Sequence, residues 1–441
     1  MDKKYLVRME KNGGVIFNLN NFNRIEINED IAIFLKSLEY TGSVEKAKEI
    51  LINMKQLTIN EVVLKELEPV INDKVNNNRN LPFLDALNKI KDNLYRLENS
   101  NRLFSPLEVS IYPDTKCNLD CKFCFLNDRS NNYGIKKADY WNDLITIFDD
   151  MDVLSLSILG GEPTLYPWID EVLEHAGKKG ILTVITTNGK NIKDSTFNII
   201  AKYKNITPVF SIQSMNQLNK ELMGIDYGDS LSNLKRFLEV GKKVRINSVY
   251  TDQELSDFIE LLNFSNDYKI DRYSIAFYVD NNKKNMIKRK RNILDLRKLQ
   301  EDLDEYSGKH NISVNYSVEG CMFFCAFPEI EDEMIYLTDF DKKYYGCRAG
   351  KSKIEIYKDG SMLPCIFFDN VSLNYPKVNS ENFIDLWDNY FISEYINKTI
   401  NTEICKSCGF FDICNGGCPA ERIKKYNNEY RNNCICKKQE V

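Results

Sequence analysis

Three cysteines fall within the eight residues "CNLDCKFC", positions 117 to 124. Cys117, Cys121 and Cys124 are spaced C-x3-C-x2-C. Structural zinc closes its coordination with four ligands, and a reactive thiol works through a lowered pKa. Three thiolates can instead hold three irons of a four-iron, four-sulfur cluster and leave the fourth iron open to an exogenous ligand. The next cysteine in the chain is Cys321, and the missing fourth ligand points to the open site.

The elements that must position these thiolates are legible around them. The loop follows "LEVSIY", and five further β-type runs come after it: "VLSLSI", "ILTVITT", "PVFSIQ", "VRINSVY" and "RYSIAFY". Amphipathic or polar segments separate them. Near-continuous apolar strands alternating with helices indicate an α/β fold with a parallel sheet, and six units suit a partial (β/α)6 TIM-like barrel over residues 105–310. In such folds the site is built at the C-terminal ends of the strands.

Before the barrel, "KYLVRM", "GVIFN" and "NRIEI" read as three short strands, the first two joined across "EKNGG" by a glycine turn. Helical periodicity follows in "DIAIFLKSL", in "SVEKAKEILINM" with Ser43 as N-cap, and in "NEVVLKELEPV" with Asn60 in that role. Residues 1–75 therefore predict a winged-helix-like domain. The polar stretch 72–80 reads as a linker, and "LPFLDALNKIKDNLYRLENS" as a bridging helix within 76–104. Past residue 311 the periodicity fades, and ten of the thirteen cysteines lie between Cys321 and Cys436. A third, metal-organised domain over 311–441 is implied.

The formal net charge of −5 gives no overall attraction to nucleic acid or an anionic membrane. Residues 43–70 carry four lysines and no arginine against five glutamates, a poor phosphate surface. The basic run "KKNMIKRKR", 283 to 291, reads as a solvated segment or a patch for an acidic peptide. No apolar run is long enough to span a membrane, and the first residues lack the core of a signal peptide. A cytoplasmic location is the default expectation. Cytosolic thiols stay reduced, so thirteen cysteines argue for metal ligation over disulfides.

The cysteine spacing, with Phe123 before the last cysteine and "GGEP" (160 to 163) ending the second barrel strand, resembles radical S-adenosylmethionine enzymes. The resemblance implies that the cosubstrate chelates the open iron and that Gly160, Gly161 and Glu162 contact its methionyl amino group. Phe123, Ser211 and Arg245 are further cofactor-binding candidates, the last two on strands four and five with Gln213 and Asn247 beside them; many relatives carry an acid where Gln213 stands. The plainer alternative is a tricysteine metal site with a fourth ligand elsewhere.

The pattern Cys347-x12-Gly360-x4-Cys365, then Cys405-x2-Cys408-x5-Cys414-x3-Cys418, then Cys434 and Cys436, resembles the SPASM domain. That implies two auxiliary four-iron clusters and three in all. One would take Cys405, Cys408 and Cys414 with Cys436 or Cys434. The other would take Cys347, Cys365 and Cys418 with Cys321, for which Cys325 competes; zinc in the four-cysteine run is the alternative.

The N-terminal unit resembles the leader-peptide recognition element of enzymes that modify ribosomal peptides, with the groove between the strand at Arg24 to Ile27 and the helix after Asn60. "SILGGEPT", "ELMG", "VGKKVRINSVYT", "VEGC" and "YYGCRA" resemble the streptide-forming subgroup, which joins a lysine β-carbon to a tryptophan ring carbon. The implied activity is a radical crosslinking of a precursor peptide, with an electron donor such as flavodoxin or ferredoxin. Glu319 is the candidate general base; a surface glutamate is the bland reading. A thioether-forming or sulfatase-maturing reaction is the enzymatic alternative, and an iron-sulfur peptide-binding or electron-transfer protein the non-enzymatic one.

Overall fold

The structure is a computed structural model and describes residues 3–100, 102–126, 134–278, 293–319, 337–344, 346–369, 374–389, 413, 418 and 420. The chain opens with an antiparallel sheet of β1 (Tyr5–Glu10), β2 (Gly13–Asn18) and β3 (Arg24–Ile27). Four helices follow: α1 (Glu29–Thr41), α2 (Val44–Lys55), α3 (Glu61–Glu66) and α4 (Glu68–Asn76). Ser43 and Asn60 cap α2 and α3 as the sequence predicts, their side chains accepting from the backbone N–H of Lys46 and Val62. The single helix expected after Asn60 is two, because Pro69 at the start of α4 cannot continue the preceding ladder.

Residues 72–80, expected as a linker, begin inside α4. Two of their polar side chains are buried and paired: the Asp73 carboxylate accepts from the backbone N–H of Lys4 and Tyr5 at 2.9 and 3.3 Å, and Lys74 Nζ donates to Tyr5 O at 2.9 Å. A polar composition looked like solvent exposure, whereas here it stitches α4 to β1. Helix α5 (Phe83–Glu98) is the bridging helix, burying Ala86, Ile90 and Leu97.

A buried ionic cluster fixes this first unit to the next. Lys36 Nζ lies 2.9 Å from Glu39 and 2.9 Å from both carboxylate oxygens of Asp152, while Lys74 reaches Glu39 at 2.9 Å. Burial pushes the Glu39 carboxyl up, but Lys36, Lys74 and Arg79 outweigh it and hold its pKa well below the usual carboxylate range. Lys36→Met strands the buried Asp152 carboxylate, while Glu39 keeps Lys74 and Arg79, and should cost about 3–5 kcal/mol in thermal unfolding. Because the folded pKa of Glu39 is depressed, its contribution is present at neutral pH. It is lost as pH falls through about 4.3, the unfolded value, toward the lower folded one.

Among the described residues the second sheet has nine strands. Its centre is β4 (Glu108–Ile111), β5 (Ser155–Ile158), β6 (Leu182–Thr187), β7 (Ile206–Ser211), β8 (Arg245–Tyr250) and β9 (Arg272–Phe277), all parallel. These are the six runs read from the sequence. Helices α6 (Ala138–Asp150), α7 (Ile169–Lys179), α8 (Asp194–Lys202), α9 (Gln217–Met223), α10 (Tyr227–Glu239) and α11 (Leu255–Asp267) intervene. Along β6, β7 and β8 burial alternates. One face, including Ile185, Phe210 and Ile246, is fully buried, Phe210 packing on Phe237 of α10. The other carries Thr186, Ser211 and Asn247, half-buried.

The sheet continues past the six expected strands. After α12 (Ile293–His310), β10 (Tyr316–Glu319) pairs in parallel with β9. At the other edge, β11 (Lys353–Ile356), which follows α13 (Asp339–Tyr344), pairs in parallel with β4 and carries the antiparallel β12 (Met362–Leu363). Helix α14 (Phe383–Asp388) follows. Among the described residues the edge strands β10 and β12 do not pair with each other, so the sheet stays open. Both ends of the sheet are therefore built from the region after residue 310, and the basic run 283–291 lies outside the described residues.

Candidate active site

The cysteine loop leaves β4 and is pinned where it turns. The Asp114 carboxylate accepts from the Lys116 N–H at 3.1 Å, Cys124 N–H donates to Cys121 O at 3.2 Å, and Lys122 N–H donates to Leu222 O at 2.9 Å. Leu119, Met223 and Ile225 form a small buried group against which Cys117, Cys121 and Phe123 pack. The "ELMG" segment at the end of α9 thus forms the apolar floor under two of the three thiolates.

The glycine turn "GGEP" lies directly against this loop. Gly161 N–H donates to Asp114 O at 3.1 Å and Glu162 N–H to Lys116 O at 2.8 Å. A Cβ on Gly161 would stand 2.2 Å from Lys116 O, and one on Gly160 would stand 2.4 Å from Asp114 O. Gly160 also has φ +144°, which other residues rarely adopt. Glycine is required because two backbones touch.

Glu162 is 2% exposed and ties strand ends together. Its Oε1 accepts from the Thr164 and Thr187 hydroxyls at 2.8 and 2.7 Å, and its Oε2 from the Asn188 N–H at 2.8 Å. Burial raises its pKa, and these hydrogen bonds oppose the rise. Asn188 Nδ2 in turn donates to Asn118 Oδ1 at 2.8 Å. Residues at the ends of β5 and β6 are thereby linked to the residue after Cys117.

Two buried donors here have no partner among the described residues: Asn118 Nδ2 and Gln213 Nε2. Gln213 lies just past β7, its Oε1 accepting from the Val249 N–H at 2.7 Å. A buried amide left unpaired costs about 1–3 kcal/mol, so both fit a bound group that offers acceptors, such as a carboxylate or ribose hydroxyls. Among the described residues no three His, Cys, Asp or Glu side chains converge as around a single ion. The cysteine loop, the glycine turn and the two orphaned donors fit an iron-sulfur cluster with S-adenosylmethionine.

The structure brings Ser211 to the end of β7, in register with Asn247. It does not bring Arg245 there. Arg245 opens β8 and its Nε donates to Asp271 at 2.7 Å, because "VRINS" enters the sheet at that residue. Gln213, which ends the fourth strand run beside Ser211 and whose side chain the sequence reading offers to the ribose or methionyl carboxylate, stands just past β7 with its amide nitrogen unpaired among the described residues. Glu319 closes β10, its Oε1 accepting from the hydroxyls of Ser274 and Ser317 at 3.0 and 2.8 Å.

Cys347 is buried, and Cys365 and Cys418 pack against a second small core that also receives Cys124. A Cβ on Gly346 would lie 2.2 Å from the side chain of Ile413, so the chain at Cys347 abuts the residue before Cys414. Cys321, Cys325, Cys405, Cys408, Cys414, Cys434 and Cys436 lie outside the described residues.

Residues 111–265 match the family model of the radical SAM superfamily. The chain is similar to Streptococcus suis SuiB in crystal structures, 37% identical over 99% of both chains. The TM-score is 0.88 for the structure bound to precursor peptide SuiA and 0.85 for that bound to S-adenosylmethionine. It is 22% identical to the subtilosin biosynthesis protein AlbA of Bacillus subtilis, over 82% of this chain and 78% of that one. It is 30% identical to an S-adenosylmethionine-dependent nucleotide dehydratase of Flammeovirga pacifica over 36% of this chain, spanning 58% of that relative. Sharing SuiB's whole length and the cysteine loop braced on its glycine turn, the chain belongs to the radical SAM superfamily.

Proposed function

We propose that this chain installs a carbon-carbon crosslink, of the lysine-tryptophan type, in a ribosomally made precursor peptide. One observation carries the reading: a three-thiolate loop backed by the glycine turn shares a chain with a small sheet whose third strand, among the described residues, is an open edge. The bound cluster and S-adenosylmethionine supply a 5′-deoxyadenosyl radical that takes a hydrogen atom from the peptide. Cys117, Cys121 and Cys124 hold that cluster; Asn118 and Gln213 offer their unpaired amide hydrogens to the cosubstrate, and Glu162 holds the strand ends in place around it. Cys347, Cys365 and Cys418 contribute to an auxiliary cluster.

The leader of the peptide binds as an added strand on β3, where main-chain hydrogen bonds give affinity and side-chain contacts give specificity. Ile25 of β3 and Val62 of α3 are 64% and 63% exposed, apolar groups available to a peptide between them. Neighbouring Arg24 and Glu26 are occupied, by Asp341 and by the Thr338 hydroxyl at 2.7 Å. The new bond leaves the tryptophan ring with a proton to lose, and Glu319, oriented by Ser274 and Ser317, accepts it.

Mass spectrometry of the processed peptide tests this. The expected product has lost two hydrogens and kept every cysteine thiol. With Glu319→Gln, 5′-deoxyadenosine should still form while crosslinked product falls by about a hundredfold. Consumption of a cysteine would favour a thioether maturase, and an unmodified peptide with no 5′-deoxyadenosine would sink the enzyme reading.

A further inference from the structure

Gly360, the glycine of the Cys347-x12-Gly360-x4-Cys365 pattern, has no part in the site described so far. It closes a tight turn after β11, in which Tyr357 N–H donates to Ser361 O at 2.9 Å and Gly360 N–H to Tyr357 O at 2.8 Å. Its φ of +85° is one that side chains rarely adopt, and a Cβ there would stand 2.9 Å from Tyr140 Oη. Because β11 runs parallel to β4 and in register with it, this turn emerges beside the start of the cysteine loop.

The turn is tied to the site on two sides. Lys358, 4% exposed, donates from Nζ to the buried Thr115 Oγ1 at 2.8 Å. Lys136 N–H donates to Lys358 O at 3.2 Å, and Lys136 O accepts from Tyr166 Oη at 2.6 Å, just past the glycine turn. Thr115 stands two residues before Cys117, and its carbonyl oxygen would lie 2.4 Å from a Cβ on Gly161. One turn thus reaches the entrance of the cysteine loop directly and the far side of the glycine turn through Lys136 and Tyr166.

Buried polar groups in cores are ordinarily hydrogen-bonded, and a lysine on a hydroxyl is not by itself functional. Here the hydroxyl belongs to a residue whose main chain also touches the glycine turn, so a shift of Thr115 changes the gap between that turn and the first thiolate. We propose that Lys358 is a positioning residue of the cosubstrate site: its ammonium holds Thr115, and through it the spacing of cysteine loop and glycine turn that S-adenosylmethionine needs. The site is then assembled from two regions of the chain, the barrel and the segment after residue 310. The inference concerns cosubstrate binding and holds whichever bond the enzyme forms in its peptide.

The test uses the full-length enzyme with its clusters reconstituted and no peptide, so it stands apart from the crosslinking reading. Three quantities are measured: S-adenosylmethionine binding by equilibrium dialysis, expressed per iron-loaded chain; KM and kcat for dithionite-driven 5′-deoxyadenosine formation; and the thermal midpoint. Lys358→Met should weaken binding about tenfold and raise KM by the same factor, with a smaller fall in kcat. Thr115→Val should do likewise, while Thr115→Ser keeps the hydroxyl and should bind as the wild type does. Each of the first two variants leaves one partner stranded and should lower the midpoint. Combining Lys358→Met with Thr115→Val removes both partners and should restore much of the midpoint, yet binding should stay as weak as in Lys358→Met alone. If a single variant fails to fold, the double variant still carries the comparison. Binding that recovers together with the midpoint would make the contact merely structural and overturn the proposal, as would wild-type binding by Lys358→Met.

Discussion

Alanine at Cys117, Cys121 and Cys124 together should abolish reductant-dependent 5′-deoxyadenosine formation and leave the fold intact. The loop is held by its backbone, through Cys124 to Cys121 and Lys122 to Leu222, and by Leu119 in the pocket with Met223 and Ile225. The triple variant loses two weaker sulfur contacts, Leu119 N–H to Cys117 Sγ at 3.4 Å and Cys121 Sγ to Met223 O at 3.8 Å, and keeps all of these. Three thiolates supply the whole protein contribution to a site-differentiated cluster, so iron should fall by about four per chain. Counting iron and acid-labile sulfide alongside the cleavage assay gives the answer. Zinc in the purified protein, or undiminished cleavage by the triple variant, would return the loop to a structural role.

Gly161→Ala should be nearly as damaging although it adds one methyl group. The new Cβ would meet Lys116 O at 2.2 Å and Thr115 O at 2.4 Å, backbone atoms that no rotamer change can move aside. Either the glycine turn or the cysteine loop must shift, and the hydrogen bond from Glu162 N–H to Lys116 O is the first to break. A displacement of an ångström in a positioned site costs about a hundredfold in rate, which is the expected fall in cleavage. Equilibrium dialysis with S-adenosylmethionine should show weakened binding in the same variant. A methyl group tolerated without loss would mean that the two backbones do not touch in the working enzyme.

What the sequence determined by itself was local. The C-x3-C-x2-C spacing, the GGEP turn, the caps Ser43 and Asn60, and the six strand runs are each set within a few residues, where side-chain type and periodicity act directly on the backbone. The glycine pair was legible as a motif through a family resemblance; that its backbone touches the cysteine loop came only from the structure.

Tertiary structure decided what depends on partners distant in the chain. Polarity at 72–80 did not reveal that Asp73 and Lys74 would be buried, because their partners Lys4, Tyr5 and Glu39 come from the first strand region and α1. Short strands such as β10 and β11 have little periodicity of their own and form because the edges at β9 and β4 offer unpaired backbone groups. The pairing of Arg245 with Asp271 at the start of β8 is set by strand register, which no local pattern in "VRINS" reveals. The standing of Asn118 and Gln213 is likewise a property of the assembled site: a polar group is orphaned only when its surroundings have closed around it and left one hydrogen bond unmade.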